Sequence, residues 1–334
     1  MNVDLICELG RKVLDGQSVT YDEALALTGI DEAEVPLLCG FANKIRQTFL
    51  GREVDLCAIV NGRSGHCSED CKFCAQSAHH TAQIETYPLL DEERLLAAAR
   101  NMERAGANRF AIVTSGRGME QDAEFPLIVR AIKRIKAETG LNTCVSLGTL
   151  SPEQARVLKA AGVTRYHHNL ETAESHFPQI CTTHSYEDRL ATIRHCKAAG
   201  LEICVGGIFG LGESAAQRVE FAFTLKSIGV DSVPVNILNP IPGTPLAKAK
   251  PLSPLEILKS VAVLRFILPG VNIRFCGGRE LNLGDFQAMG LLAGANGLMI
   301  GHYLTTHGRD AAQDILMVKA AGLRPVSQGG AERG

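Results

Sequence analysis

Cys67, Cys71 and Cys74 lie in the segment NGRSGHCSEDCKFCAQSAHH with C-x3-C-x2-C spacing. A structural zinc site takes four protein ligands, usually as paired C-x2-C units, and no second pair accompanies this one. Three thiolates instead match three irons of a cubane [4Fe–4S] cluster and leave the fourth iron open. An open iron can bind the amino and carboxylate groups of S-adenosylmethionine. It can then pass one electron to the sulfonium, which releases methionine and a 5′-deoxyadenosyl radical. Such a cluster needs a very low potential, and thiolate-ligated clusters reach about −700 mV at the extreme. The competing reading is of three buried core thiols.

The elements that must hold this loop follow from the hydrophobic pattern. Eight β-branched runs alternate with amphipathic helical stretches, at 54–61, 109–116, 142–149, 165–172, 202–210, 232–239, 271–278 and 297–304. Strands separated by helices pair in parallel through crossovers, and eight of them close a (β/α)8 TIM barrel. An open doubly wound sheet would need polar edge strands, and none is apparent. The helices carry start signals such as Ser151 followed by Pro152 and Glu153,. The cysteine loop follows the first strand, at the barrel end where such enzymes do their chemistry. Residues 1–50 read as a helical extension, 51–320 as the barrel and 321–334 as a C-terminal tail.

Composition narrows the class. The 334 residues are 46% hydrophobic, enough for a large core, and 34 basic against 36 acidic residues leave a net charge of −2. That balance offers no footprint for nucleic acid or an anionic membrane. No apolar run reaches the ~18 residues of a membrane span, and MNVDLICELGRK lacks a secretory pattern,. A cytoplasmic location is therefore expected. In that reducing compartment the eleven cysteines point to metal binding or buried thiols rather than disulfides.

Strand side chains alternate between faces. If the inward faces are those of Cys144, Cys204, Arg274 and Cys276, these four converge inside the barrel and imply a second metal centre. Each alone reads as a small core residue. Cys181, in a loop at the same barrel end, is a reserve ligand. Cys7, Cys39, Cys57 and Cys196 read as structural. The adjacent pairs His79–His80 and His167–His168 cannot chelate one ion together. Gly206, Gly207, Gly210 and Gly212 lack G-x-G-x-x-G spacing and suit close backbone approach to a cofactor.

At GHCSEDCKFCAQS the sequence resembles the cluster loop of the biotin synthase family of radical S-adenosylmethionine enzymes. The resemblance extends over about residues 35–320, through SLGTL (146–150), HNLET (168–172), TTHSYEDR (182–189), GGIFGLGE (206–213), VPVNILNPIPGTPL (233–246), GGRE (277–280) and LTT (304–306). It implies a sulfurtransferase that converts dethiobiotin to biotin by abstracting hydrogen from two unactivated carbons and inserting sulfur between them. The radical chemistry belongs to the cofactors, so no side chain takes an acid–base or nucleophilic role. The resemblance places Asn169, Glu171 and Arg189 on S-adenosylmethionine. It places Asn236 on the ureido ring of the substrate, and Thr305 and Thr306 near its carboxylate.

The usual pattern also holds an auxiliary [2Fe–2S] cluster on three cysteines and one arginine, which supplies the sulfur. Cys144, Cys204 and Arg274 match three of those positions. The fourth departs: Ala111 replaces the expected cysteine, while Cys276 appears two residues past Arg274. This paired loss and gain suggests an auxiliary cluster on Cys144, Cys204 and Cys276 of altered shape, with four irons as one candidate composition and Arg274 as ligand or neighbour. His167 stands where an asparagine is usual. A flavodoxin or ferredoxin as electron donor and a homodimeric state are implied as well. The alternatives are a related barrel enzyme of the hydrogenase-maturase or lysine-rearranging type, against which HNLET, VPVN and GTPL weigh, and a non-catalytic iron–sulfur or zinc protein.

Overall fold

The computed structural model describes residues 2–119 and 124–327. Three helices come first, α1 (Asn2–Leu14), α2 (Tyr21–Thr28) and α3 (Val35–Leu50). Strands and helices then alternate: β1 (Glu53–Arg63), α4 (Glu92–Arg104), β2 (Arg109–Thr114), α5 (Glu124–Glu138), β3 (Asn142–Ser146), α6 (Pro152–Ala161), β4 (Arg165–His167) and α7 (Tyr186–Ala198). The second half holds β5 (Glu202–Cys204), β6 (Gly207–Phe209), α8 (Ala215–Ile228), β7 (Ser232–Ile237), α9 (Pro254–Ile267) and β8 (Asn272–Phe275). It ends with α10 (Arg279–Leu283), α11 (Gln287–Leu292), β9 (Gly297–Met299), α12 (Ala311–Ala320) and β10 (Arg324–Pro325).

The strands pair in parallel in the order β1-β2-β3-β4-β5-β7-β8-β9, and β9 returns to β1, which closes the barrel. Alternation along β1 shows how the wall works. Val54, Leu56 and Ala58 are fully buried beneath the helical layer, whereas Cys57 and Ile59 face the interior cavity. The helix starts are fixed by side-chain caps. Ser151 and Gln154, and likewise Ser185 and Asp188, form reciprocal capping boxes, each worth about 1 kcal/mol.

The run expected as one strand at 202–210 is two short strands. Pro234, in the middle of β7, has no N–H for the ladder. Gly206, opposite it, approaches so closely that a Cβ there would stand 1.9 Å from the Pro234 carbonyl oxygen. The ladder breaks at Val205–Gly206 and resumes as β6 on β7. The three N-terminal helices cover the outside: α3 packs on α9, and α2 on α8 and α9. That is why α9 is buried along its whole length from Ile257 to Ile267. Of the expected tail, Arg324 and Pro325 form β10 beside Glu53 and Val54, while residues 328–334 lie outside the described residues. Among the described residues no helix is long and apolar enough to cross a membrane.

Candidate active site

One cavity of about 390 Å³ opens at the C-terminal end of the barrel strands. Its upper wall carries Cys67, Cys71 and Cys74, and its depth carries Cys144, Cys204, Arg274 and Cys276. The inward alternation on β3, β5 and β8 read from the sequence is what brings the deep group together.

The loop after β1 is held open by its own backbone. The Cys67 N–H donates to the Gln76 carbonyl, the Ala78 N–H to that of Cys67, and the Cys74 N–H to that of Cys71. Gln76 Oε1 accepts from Asn61 Nδ2 and from the Gly65 N–H, both at 3.2 Å. His79 and His80 brace the loop by bonding through Nε2 to the carbonyls of Ser68 and Cys71. Among the described residues, the one trio of potential ligand atoms lying within 4.8 Å of one another is Cys71, Cys181 and His184. At least one pair of sulfurs among Cys67, Cys71 and Cys74 is therefore more than 4.8 Å apart, wider than the ~3.8 Å between sulfurs on one tetrahedral zinc. That spread suits donors to three different irons. Cys181, expected as a reserve ligand for the inner group, stands beside Cys71 instead.

Asn169, Glu171 and Arg189 meet next to this loop. Arg189 donates through Nη1 to the Asn169 carbonyl at 2.6 Å, lies 3.6 Å from Glu171, and reaches Cys71 Sγ at 4.0 Å. Asn169 Nδ2 donates to Glu171 at 3.3 Å, and its Oδ1 accepts from the Gly206 N–H. Glu171 holds φ at +68°, a conformation that costs a non-glycine residue about 1–3 kcal/mol and collects at functional sites. Burial raises its carboxyl pKa against the pull of Arg189.

The floor is a charge cluster. Asp55 lies between Arg274 at 2.6 Å, Arg109 at 3.6 Å and Arg165 at 3.8 Å. Burial pushes its carboxyl up, but Arg274, Arg109 and Arg165, with a hydrogen bond from Asn108, hold it well below the usual range. Arg109 also donates to Cys144 Sγ at 3.5 Å. Gly297 makes room for Arg274, since a Cβ there would stand 3.2 Å from the arginine's own Cβ. Burial opposes ionisation of Cys204, yet the His167 hydrogen bond and charge, with Arg274 and Arg165, bring its thiol down to about 6. Burial pushes the Cys276 thiol upward.

Cys57, expected to be structural, faces the same cavity. Burial raises its thiol to about 12, with Cys144 repelling its charge and Arg274 attracting it. Cys276 in turn feels both Cys57 and Cys204, so Cys57 and Cys276 link Cys144 to Cys204 electrostatically across the cavity. The signal that could have placed Cys57 was parity: it lies two residues before Ile59, whose register partner is Ala111. Cys39 and Cys196 are buried in helices as expected.

Asn236 lines the cavity, but its amide ties β6 to the turn after β8: Nδ2 donates to the Gly207 carbonyl and Oδ1 accepts from the Gly277 N–H. Thr305 and Thr306 lie on its wall in the segment after β9, next to Tyr303 and Leu304.

The Radical SAM superfamily model matches residues 63–225, and that of the Biotin and Thiamin Synthesis associated domain matches 234–324. Biotin synthase of Carboxydothermus hydrogenoformans is 51% identical over 96% of this chain and 98% of its own length. That of Clostridium acetobutylicum is 50% identical over 94% of this chain and 96% of its own. Among solved structures, methylornithine synthase superposes with a TM-score of 0.84 at 22% identity, over 96% of this chain and 98% of that one. A maturase of the [FeFe]-hydrogenase does so at 0.83 and 18%, over 97% and 75%. At those identities the likeness speaks for the barrel fold alone.

Proposed function

From the membership of this chain in the biotin synthase family, and its activity as the sulfurtransferase that makes biotin, we propose that the cavity serves two iron–sulfur centres acting on one dethiobiotin molecule. The supporting observation is the convergence of Cys67, Cys71 and Cys74 with Cys57, Cys144, Cys204 and Cys276 on one space. When bound, the loop [4Fe–4S] cluster and S-adenosylmethionine supply the hydrogen-abstracting radical, and the auxiliary cluster supplies the sulfur.

The chain's own residues bind, orient and shield. Cys67, Cys71 and Cys74 hold the loop cluster and leave one iron for the cofactor. Glu171 and Asn169 present acceptors to its ammonium and ribose, and Arg189 its guanidinium to the carboxylate. Cys144, Cys204 and Cys276 hold the auxiliary cluster, and Cys57 is positioned to be a fourth thiolate. Arg109, Arg165 and Arg274 against Asp55 and Glu202, which pairs with Arg165 at 2.8 Å, leave a surplus of one positive charge in the floor. A cluster on four thiolates carries about −2 whether it holds two irons or four, one negative charge more than three thiolates and an arginine give, so the cationic floor suits a fourth thiolate; the four-iron shape is favoured by the moved cysteine, Ala111 standing at the usual thiol position and Cys276 gained,. Arg274 then acts as counter-ion, because its Nη2 is engaged by Asp55.

Asn236 faces the ureido ring, and Thr305 and Thr306 the substrate carboxylate. The apolar walls of Ile59, Val113, Ile208 and Met299 keep water from the radical. The one-electron donor is a flavodoxin or ferredoxin, the assembly a homodimer and the compartment the cytoplasm, where the eleven cysteines, all unpaired here, stay reduced.

Anaerobic reconstitution followed by iron and sulfide counts, then incubation with dethiobiotin, S-adenosylmethionine and reductant, tests the reading. Biotin with two cubanes' worth of iron is expected. Iron for one cubane plus a two-iron cluster would refute the four-iron centre.

A further inference from the structure

Cys181 and His184 form a C-x2-H pair in the loop after β4, and neither has a place in the sulfur-insertion chemistry. Cys181 Sγ lies 3.3 Å from His184 Nδ1 and 3.2 Å from Asp70 Oδ1. The ligand atoms of Cys71, Cys181 and His184 all lie within 4.8 Å of one another. Bond lengths of 2.3 Å to sulfur and 2.0–2.1 Å to nitrogen put tetrahedral zinc ligands about 3.5–3.8 Å apart, so side-chain shifts of ~1 Å or less bring the trio onto one ion.

The surroundings fix that spacing. The Lys72 N–H donates to the Ile180 carbonyl at 3.0 Å, which stitches the cluster loop to the Cys181 loop. Asp70 accepts from the N–H groups of Thr182 and Thr183, and the His184 ring packs edge-on against Phe177. His184 Nδ1 bonds to Glu69, and Nε2 accepts from Arg189 Nε at 2.9 Å. An ion at Nδ1 takes the place of the proton held towards Glu69; Asp70 touches Cys181 and Glu69 touches His184, and a turn of either side chain, or water, supplies the fourth ligand. The imidazole proton then moves to Nε2, at the expense of the Arg189 bond.

We propose that, before cluster loading, Cys71, Cys181 and His184 bind a single soft divalent cation of the zinc type. This ion and the loop cluster exclude each other, since both require Cys71. Two thiolates and one imidazole select such an ion over magnesium or calcium.

Cobalt(II) is the probe, titrated anaerobically into the reduced, cluster-free full-length chain. Its sulfur-to-metal charge-transfer absorption reports thiolate binding and its visible bands report tetrahedral geometry. A Cys67→Ala/Cys74→Ala double variant, which cannot build the cubane, is expected to keep this tetrahedral ion. Cys181→Ala and His184→Ala are each expected to weaken it tenfold or more, with circular dichroism reporting the fold. Cobalt that is lost in the double variant, or that binds unchanged in both single variants, overturns the proposal. Zinc added before iron and sulfide is expected to slow growth of the iron–thiolate absorbance in the unmodified chain and not in Cys181→Ala. Equal rates with and without zinc in the unmodified chain overturn the mutual exclusion.

Discussion

Arg274 donates through Nη2 to Asp55 at 2.6 Å, and that contact seats its guanidinium in the barrel floor beside the deep cysteines. Arg109 and Arg165 approach the same carboxylate. With Glu202 as a second partner of Arg165 at 2.8 Å, Asp55 thus partly neutralises three buried cations beneath the deep cysteines.

Removing that anion should be costly. Breaking a buried ion pair by deleting one partner costs about 3–5 kcal/mol, and Asp55→Asn is expected to destabilise the cluster-free chain by that order in denaturant titrations. The pH dependence has a definite sign. The folded carboxyl is held below the usual range, so its contribution is complete above the unfolded value of ~3.9 and is lost as pH falls towards the folded one. The gap between the parent chain and Asp55→Asn should stay constant from about pH 8 to pH 4 and narrow below that. A gap that closes already between pH 7 and pH 5 would contradict the placement of Asp55.

The two cysteine groups should separate by product. Cys67→Ala, Cys71→Ala and Cys74→Ala are each expected to abolish deoxyadenosine formation. Cys144→Ala, Cys204→Ala and Cys276→Ala are expected to leave deoxyadenosine release in place and abolish biotin. Cys57→Ala should lower auxiliary iron and biotin together. Chromatography of both products from one incubation reads every case. Full biotin yield from Cys57→Ala with unchanged iron would remove Cys57 from the ligand set.

Much of this was legible in the sequence, because it rests on periodicity. The closed barrel and the inward faces of Cys144, Cys204 and Cys276 follow from strand alternation. What escaped depends on long-range register. Cys57 reads as a core thiol because nothing local distinguishes it from Cys39. Its place opposite Arg109 and beside Met299 exists only once β1 pairs on both sides. The split of 202–210 needed the Pro234 carbonyl against Gly206. The meeting of Cys181 with Cys71 needed two loops 110 residues apart to join.

Ala111 permits a test of the paired loss and gain. It stands between Ile59 and Cys144 in the β1–β2–β3 register. Ala111→Cys combined with Cys276→Ala returns the thiols to the usual family positions. The double variant is expected to reconstitute with ~2 fewer irons per chain, read by iron analysis and by the auxiliary cluster's absorption. An unchanged iron count would mean that these two positions do not set the cluster's size.

Binding of the substrate's acid end should depend on a tether outside the threonines themselves. Tyr303 Oη donates to both oxygens of Glu280, at 2.7 and 2.9 Å. The Arg309 N–H donates to the same carboxylate at 3.3 Å. The Tyr303 N–H donates to the Thr306 carbonyl at 3.0 Å, so the turn carrying Thr305 and Thr306 is fastened to α10. Glu280 is itself anchored, 3.3 Å from Arg279, whose buried guanidinium pairs with Asp314 at 2.6 Å. A hydrogen bond to a charged group is worth about 1.5–3 kcal/mol. Tyr303→Phe should therefore raise KM for dethiobiotin by roughly tenfold or more, with kcat and both clusters' absorption unchanged. Thr306→Val is expected to raise KM in the same direction. The two effects should be less than additive, because each variant disables the same turn. A fall in kcat at constant KM would show that the tether does not serve substrate binding.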